Sequence, residues 1–201
     1  MKQAFASNST RNDHRVSPHA FVDESRRASY LLVAALVETN DLVRLRTLMR
    51  GLRVAGERRL HFKSESDAVK KDVVGRLVDA GVRTRIYVGR GHSEAARQVC
   101  LARLVEDLLD LGARRMLLDS RGHEEDFLDR RVVVNVLQRR GVGSDRLVYE
   151  HLASHGDAAL WVPDAVAWCY GAGGEWKRRV AGLVEEVVDI GTATRRQQIK
   201  R

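Results

Sequence analysis

Three aspartates, Asp23, Asp119 and Asp164, are the residues whose settings best suit chemistry. Each follows apolar residues: Phe21-Val22 before Asp23, Met116-Leu117-Leu118 before Asp119, Val162-Pro163 before Asp164. Carboxylates drawn from such settings into one pocket repel each other, and bound cations relieve the repulsion. All-oxygen donors suit Mg2+ or Mn2+ rather than a soft metal. A fourth acid is expected to assist, and Glu65 and Glu24 are the candidates. Asp23 and Glu24 point to opposite faces of a regular strand, so only one shares a pocket with Asp119, and Asp23 is the preferred one.

The elements that must position these acids are legible. His19 to Ser25 reads as a strand with Asp23 near its end, Arg26-Arg27 as the turn, and Ser29 to Val37 as a second, strongly strand-forming segment. Asn40-Asp41 would cap a helix with a stripe of Leu42, Leu45, Leu48, Met49 and Leu52. Residues 57–63 read as a charged extended segment, Leu60 and Phe62 on one side, His61 and Lys63 on the other. Ser64 opens a helix over about 65–80 that Gly81 ends, with Val69, Val73, Val74 and Leu77 inward. Val82–Val88 reads as a strand with an apolar face and a basic one.

Ser93 opens a further helix, closed by Gly112, and Arg115–Asp119 is a short buried strand. A helix over 123–140 starts with acids suited to the positive end of its dipole. Leu147–Leu152 is the next strand, and a last helix lies within 158–183, broken by glycines before Trp176–Val184. Pro163 places Asp164 in a first helical turn, with Leu160, Trp161, Ala167 and Trp168 one turn away. A hairpin followed by alternating strands and helices predicts an α/β fold, a mixed sheet with helices on its faces. Residues 1–18 read as a flexible arm, 19–190 as a single domain and 191–201 as a basic tail.

At 201 residues and 44% hydrophobic, the chain can bury a substantial core. A formal charge of +8 favours a polyanionic partner, nucleic acid first. Arg58, Arg59, His61 and Lys63, with Arg83 and Arg85, are the expected phosphate contacts, and Lys177, Arg178 and Arg179 form a further basic cluster. Aromatics make up only 5%, so no stacking platform for single strands is evident. Cys100 and Cys169 are isolated, without zinc or redox spacing, and no apolar run approaches membrane length. A cytoplasmic protein with no membrane partner is expected. Gly89-Arg90-Gly91 is half of a dinucleotide fingerprint, but Glu94 stands where Gly or Ala is needed, so it reads as a tight strand-to-helix turn.

The run Phe21-Val22-Asp23-Glu24-Ser25, then Met116-Leu117-Leu118-Asp119, then Pro163-Asp164-Ala165-Val166-Ala167 resembles domain-of-unknown-function family 3800 over residues 19–180. The resemblance implies a ribonuclease-H-like fold in which Asp23, Asp119 and Asp164 correspond to the metal-binding acids. Two departures stand out: Arg26 where the family often has Gly, and Trp161 where it often has Gln. On that fold the acids hold two Mg2+ or Mn2+ ions roughly 3.5–4 Å apart and hydrolyse a phosphodiester. The expectation is therefore a metal-dependent nuclease acting on RNA or DNA. The alternatives are a noncatalytic nucleic-acid-binding or regulatory protein on the same fold, and a small interaction protein whose acids cap helices. Singly, each acid has a plainer role: Asp119 as a cap, Asp164 at a helix dipole, Asp23 paired with Arg26 or Arg27.

Overall fold

The computed structural model describes residues 17–27 and 29–191. Its centre is the expected hairpin. Strands β1 (Pro18–Ser25) and β2 (Tyr30–Glu38) pair antiparallel, with Asp23 opposite Val33. β2 is buried along almost its entire length, as its unbroken run of Tyr, Leu, Val and Ala requires, because such a strand has no side to give to water. Strand β3 (Arg83–Gly89) runs antiparallel to β2. Strand β4 (Arg115–Asp119) runs parallel to β1, and β5 (Val148–Leu152) parallel to β4. The sheet order is β5-β4-β1-β2-β3-β6, where β6 (Val184–Asp189) lies parallel to β3.

Helices cover both faces. The front face carries α1 (Leu42–Gly51), α2 (Asp67–Asp79) and α5 (Trp161–Ala172), packed on Phe21, Leu31, Val33, Ala35, Val37, Ile86 and Leu117. The back face carries α3 (Glu94–Asp110) and α4 (His123–Arg139), packed on Ala20, Val22, Leu32, Ala34, Leu36, Tyr87, Met116 and Leu118. Odd and even residues of β1 thus go to different cores, as strand alternation demands. This is an α/β fold, a six-stranded mixed sheet flanked by helices, as expected from the sequence.

The connection from β3 to α3 is the tight turn anticipated. A Cβ on Gly89 would lie 3.0 Å from Cys100 Sγ and 3.1 Å from Ala96 Cβ, so strand end and helix approach backbone-close. Ser93 caps α3 by accepting from the Ala96 amide. Both cysteines are buried free thiols. Among the described residues no helix is long and apolar enough to cross a membrane.

Several local expectations are corrected. Pro18, assigned to the arm, opens β1, a position where its missing N–H is tolerated. The remainder of the arm up to residue 16, and residues 192–201 of the tail, lie outside the described residues. Asn40 and Asp41 do not cap α1 through their side chains; they form a 3-10 turn that runs directly into it. Residues 57–63 form no strand. Leu60 and Phe62 are buried while His61 and Lys63 are exposed, so the alternation was real, but no neighbouring strand offers a ladder and Phe62–Ser64 closes as a 3-10 turn. α2 starts two residues late, at Asp67, because Ser66 rather than Ser64 accepts from Val69 N at 3.3 Å. Tyr87, which by alternation shares the basic face of β3 with Arg83 and Arg85, is fully buried under α3.

The segment after α5 holds a short helix α6 (Gly174–Arg179), and the strand β6 was not anticipated. The β-branched cluster Val184, Val187 and Val188 was its signal.

Candidate metal centre

β1 and β4 place the first two acids. The last registered pair between these parallel strands is Val22–Leu118, and Asp23 and Asp119 are the next residue on each. Adjacent strands lie about 4.8 Å apart. Phe21 and Leu117 belong to the front core, so Asp23 and Asp119, two residues further along, also face front. Asp164 comes from the first turn of α5, the helix that packs on β1 and β2 across that face. The fold therefore draws towards one end of the sheet three residues that are far apart in the chain.

Electrostatics record the convergence. Burial pushes the Asp23 carboxyl well above the usual carboxylate range, and Asp164 and Asp119 push it further. Only the Glu24 amide, donating to Asp23 Oδ1 at 2.7 Å, draws it back. Burial lifts Asp164 to about 6, with Arg59 opposing, Asp119 adding to the rise and His61 opposing. Asp119 is raised by burial too, against the pull of Ser154 and Arg59. Ser154 Oγ donates to the Asp119 carboxylate at 2.7 and 2.9 Å. Asp119 is thus no helix cap; α4 has no side-chain cap at Gly122, and Asp126 instead ties down the preceding turn by accepting from Ser120 Oγ at 2.6 Å and the Arg121 amide at 3.1 Å.

Trp161 has a visible task. Its indole N–H donates to the Ser154 carbonyl at 2.6 Å, fixing the segment that presents the Ser154 hydroxyl to Asp119. Asp157 caps the 3-10 turn leading into α5 and is held by Arg46 of α1 through hydrogen bonds of 3.0, 3.1 and 2.5 Å.

Glu24 faces the other way. Its carboxylate accepts from Arg97 and from the Tyr30 hydroxyl on the back face, and pairs with Arg26 at 2.8 Å. Arg97 is 2% exposed and also donates to both oxygens of Asp129, at 2.7 and 2.6 Å. Arg121 reaches Asp129 at 3.2 Å and Glu94 at 2.9 Å. Burial opposes the charge on Asp129, yet the Arg97 and His151 hydrogen bonds hold it down at about 2. Glu24 is lowered as well, burial being outweighed mainly by Arg97.

Asp126, Asp129 and His151 have ligand atoms within 4.8 Å of one another, the geometry of a possible metal cluster on the back face. Two guanidiniums already occupy it, however. Arg97 and Arg121 satisfy Asp129, and Asp126 serves its turn. The front acids have only Arg59 and His61 as cations among the influences acting on them. The front acids thus lack the guanidiniums that pair with the back trio, and their raised pKa values record that lack.

The remaining candidates divide. Arg59 and His61 act on the front acids. Arg58 and Lys63 are exposed on the same loop. Glu65 follows the Phe62–Ser64 turn, half-buried, and its carbonyl accepts from Lys70 Nζ at 2.5 Å. Arg83 and Arg85 lie on the back side of β3, paired with Glu38 and Glu186 at 2.9 and 3.0 Å. Sequence reasoning missed Arg97, Asp129 and Ser154. A charge on an apolar helical stripe was the available signal: Arg97 lies one turn from Cys100 and Leu101, Asp129 one turn from Val133.

Comparison with known proteins adds little. No family model matches the chain, and no curated protein matches it. Among solved structures, a chain of the PCNA:RNase HII complex from Archaeoglobus fulgidus is 19% identical with a TM-score of 0.48, covering 75% of this chain and 69% of that one.

Two outcomes follow for the folded state. Arg97→Ala strands Asp129, 0% exposed, without its main partner, and should cost about 3–5 kcal/mol in a urea melt; a loss below about 1 kcal/mol would contradict the back-face network. The front acids set a pH dependence. An acid whose pKa rises on folding stabilises the fold while protonated. That contribution is complete below the ordinary value of 3.8 and is lost as pH climbs through the folded value, about 6 for Asp164. Asp129 works oppositely, its contribution lost only as pH falls towards about 2. In EDTA, Asp164→Asn should therefore gain about 1–2 kcal/mol at about pH 7.5 and almost nothing at about pH 4. Equal thermal shifts at both pH values would count against the strained pocket.

Proposed function

We propose that this chain is a metal-dependent phosphodiesterase acting on nucleic acid, with Asp23, Asp119 and Asp164 as its metal ligands. The observation that carries the reading is the contrast across the sheet: acids behind β1 are neutralised by buried guanidiniums, while those in front stay raised together. The front donor set is carboxylate oxygen, which fits Mg2+ or Mn2+. Such ions, when bound, would supply a water-derived nucleophile and offset charge on the transferring phosphate.

The chain's own residues prepare the pocket. The strand ends fix Asp23 and Asp119, Ser154 orients the Asp119 carboxylate, and α5 delivers Asp164. Arg59 and His61 sit where an anionic substrate would meet the acids, and Arg58 and Lys63 extend that positive rim. Glu65 is the better candidate for an assisting acid, since Glu24 is committed to Arg97. Arg83 and Arg85, both paired with carboxylates, are weaker phosphate contacts than the 58–63 loop. Free buried cysteines suit a reducing compartment, the cytoplasm being the proposed one.

The test is cleavage of generic RNA and DNA with Mn2+. Activity should fall at least about 100-fold in Asp23→Asn while the variant still melts cooperatively, at or above the wild-type midpoint. Binding without cleavage by the wild-type protein would favour a noncatalytic nucleic-acid-binding role instead.

A further inference from the structure

Composition gave no reason to expect an aromatic cluster, yet one stands beside the front acids. Trp168 lies four residues beyond Asp164 on α5, one turn along the same side of the helix. Phe62 meets its ring edge-on, with centroids 5.6 Å apart, and Trp176 does the same at 5.4 Å. Phe62 closes the loop that carries Arg59 and His61, so Trp168 helps anchor that rim of the pocket. Lys70 Nζ lies 4.8 Å from the ring centroid but is buried and spends a hydrogen bond on the Glu65 carbonyl.

The Arg27 guanidinium lies 4.9 Å from the centroid of the same ring. Arg27 and its neighbour differ in kind. Arg26 is taken up by Glu24, whereas Arg27 is exposed and has no carboxylate partner among the described residues. A Cβ on Gly171 would touch Arg27 Cβ at 3.4 Å and Ser25 Oγ at 3.5 Å, so the turn after β1 lies directly against α5. A guanidinium stacked on a ring keeps its N–H edges free and loses little freedom when those edges bind an anion. It stands four residues after Asp23, in the turn that follows the strand carrying the first acid of the pocket.

We propose that Arg27 grips a backbone phosphate of the nucleic-acid strand lying across the acid pocket, and that Trp168 is the positioning residue that aims it. This rests on the nucleic-acid reading above. The ring lies against two cations, Arg27 and Lys70, so the contact proposed is to phosphate and tolerant of base sequence.

The experiment is fluorescence anisotropy of fluorescein-labelled oligonucleotides, single-stranded and duplex, titrated with the full chain in EDTA across a range of salt. Arg27→Gln should weaken binding about 5- to 10-fold at low salt and flatten the slope of log affinity against log salt by about 0.7–0.9, the loss of one phosphate contact. Arg27→Lys should keep the slope. Trp168→Leu should reproduce the Arg27→Gln slope, Trp168→Phe should restore it, and Arg27→Gln with Trp168→Leu should be no worse than Arg27→Gln alone. An unchanged slope in Arg27→Gln, with the wild type binding, overturns this proposal and leaves the nuclease reading standing. Losses that add in full in the double variant overturn the role of Trp168. A wild type that neither binds oligonucleotides nor cleaves them with Mn2+ overturns both readings.

Discussion

Like charges confined without enough opposite charge are the constraint from which the site follows. Asp23 and Asp119 end neighbouring strands and Asp164 reaches them from α5; burial raises all three, Asp164 and Asp119 add to the rise of Asp23, and Asp119 adds to that of Asp164. A protein that needed only stability would place apolar side chains there, or a guanidinium, as it does on the reverse side. Retaining three under-compensated acids fits a place kept for a cation.

β1 makes the two sides possible. Its alternation sends Asp23 forward and Glu24 back, so consecutive carboxylates enter opposite environments. Behind the sheet, Arg97 ties Glu24 to Asp129 and so anchors the strand end from which Asp23 projects. In front, Ser154, held through the Trp161 indole, gives Asp119 a neutral donor that orients its carboxylate without cancelling its charge. The back network is thus an ion-paired clamp, and the front cluster is a set of acids without paired guanidiniums, although the back trio of Asp126, Asp129 and His151 is the more closely grouped.

Much of this was legible in the sequence. The hairpin, the strand ending at Asp119 and the helix start at Asp164 follow from apolar runs, Pro163 and strand period, and those local features fix which way each acid points. What was illegible depends on partners distant in sequence. The 57–63 segment alternates like a strand but meets no ladder, and β6 is a strand because β3 offers a free edge. Arg97 looks like a flaw in an apolar stripe until Asp129 arrives from another helix. The aromatic cluster gathers Phe62, Trp168 and Trp176 from three separate segments, so a low aromatic content said nothing of their concentration.

The central claim is most directly tested by Mn2+ binding, followed by electron paramagnetic resonance or calorimetry at neutral pH. The account expects saturable binding that weakens at least about 10-fold in Asp119→Asn. It expects Asp126→Asn, on the reverse side, to bind as the wild type does. Undiminished binding in Asp119→Asn together with loss in Asp126→Asn would move the ion to the back of the sheet and contradict the account.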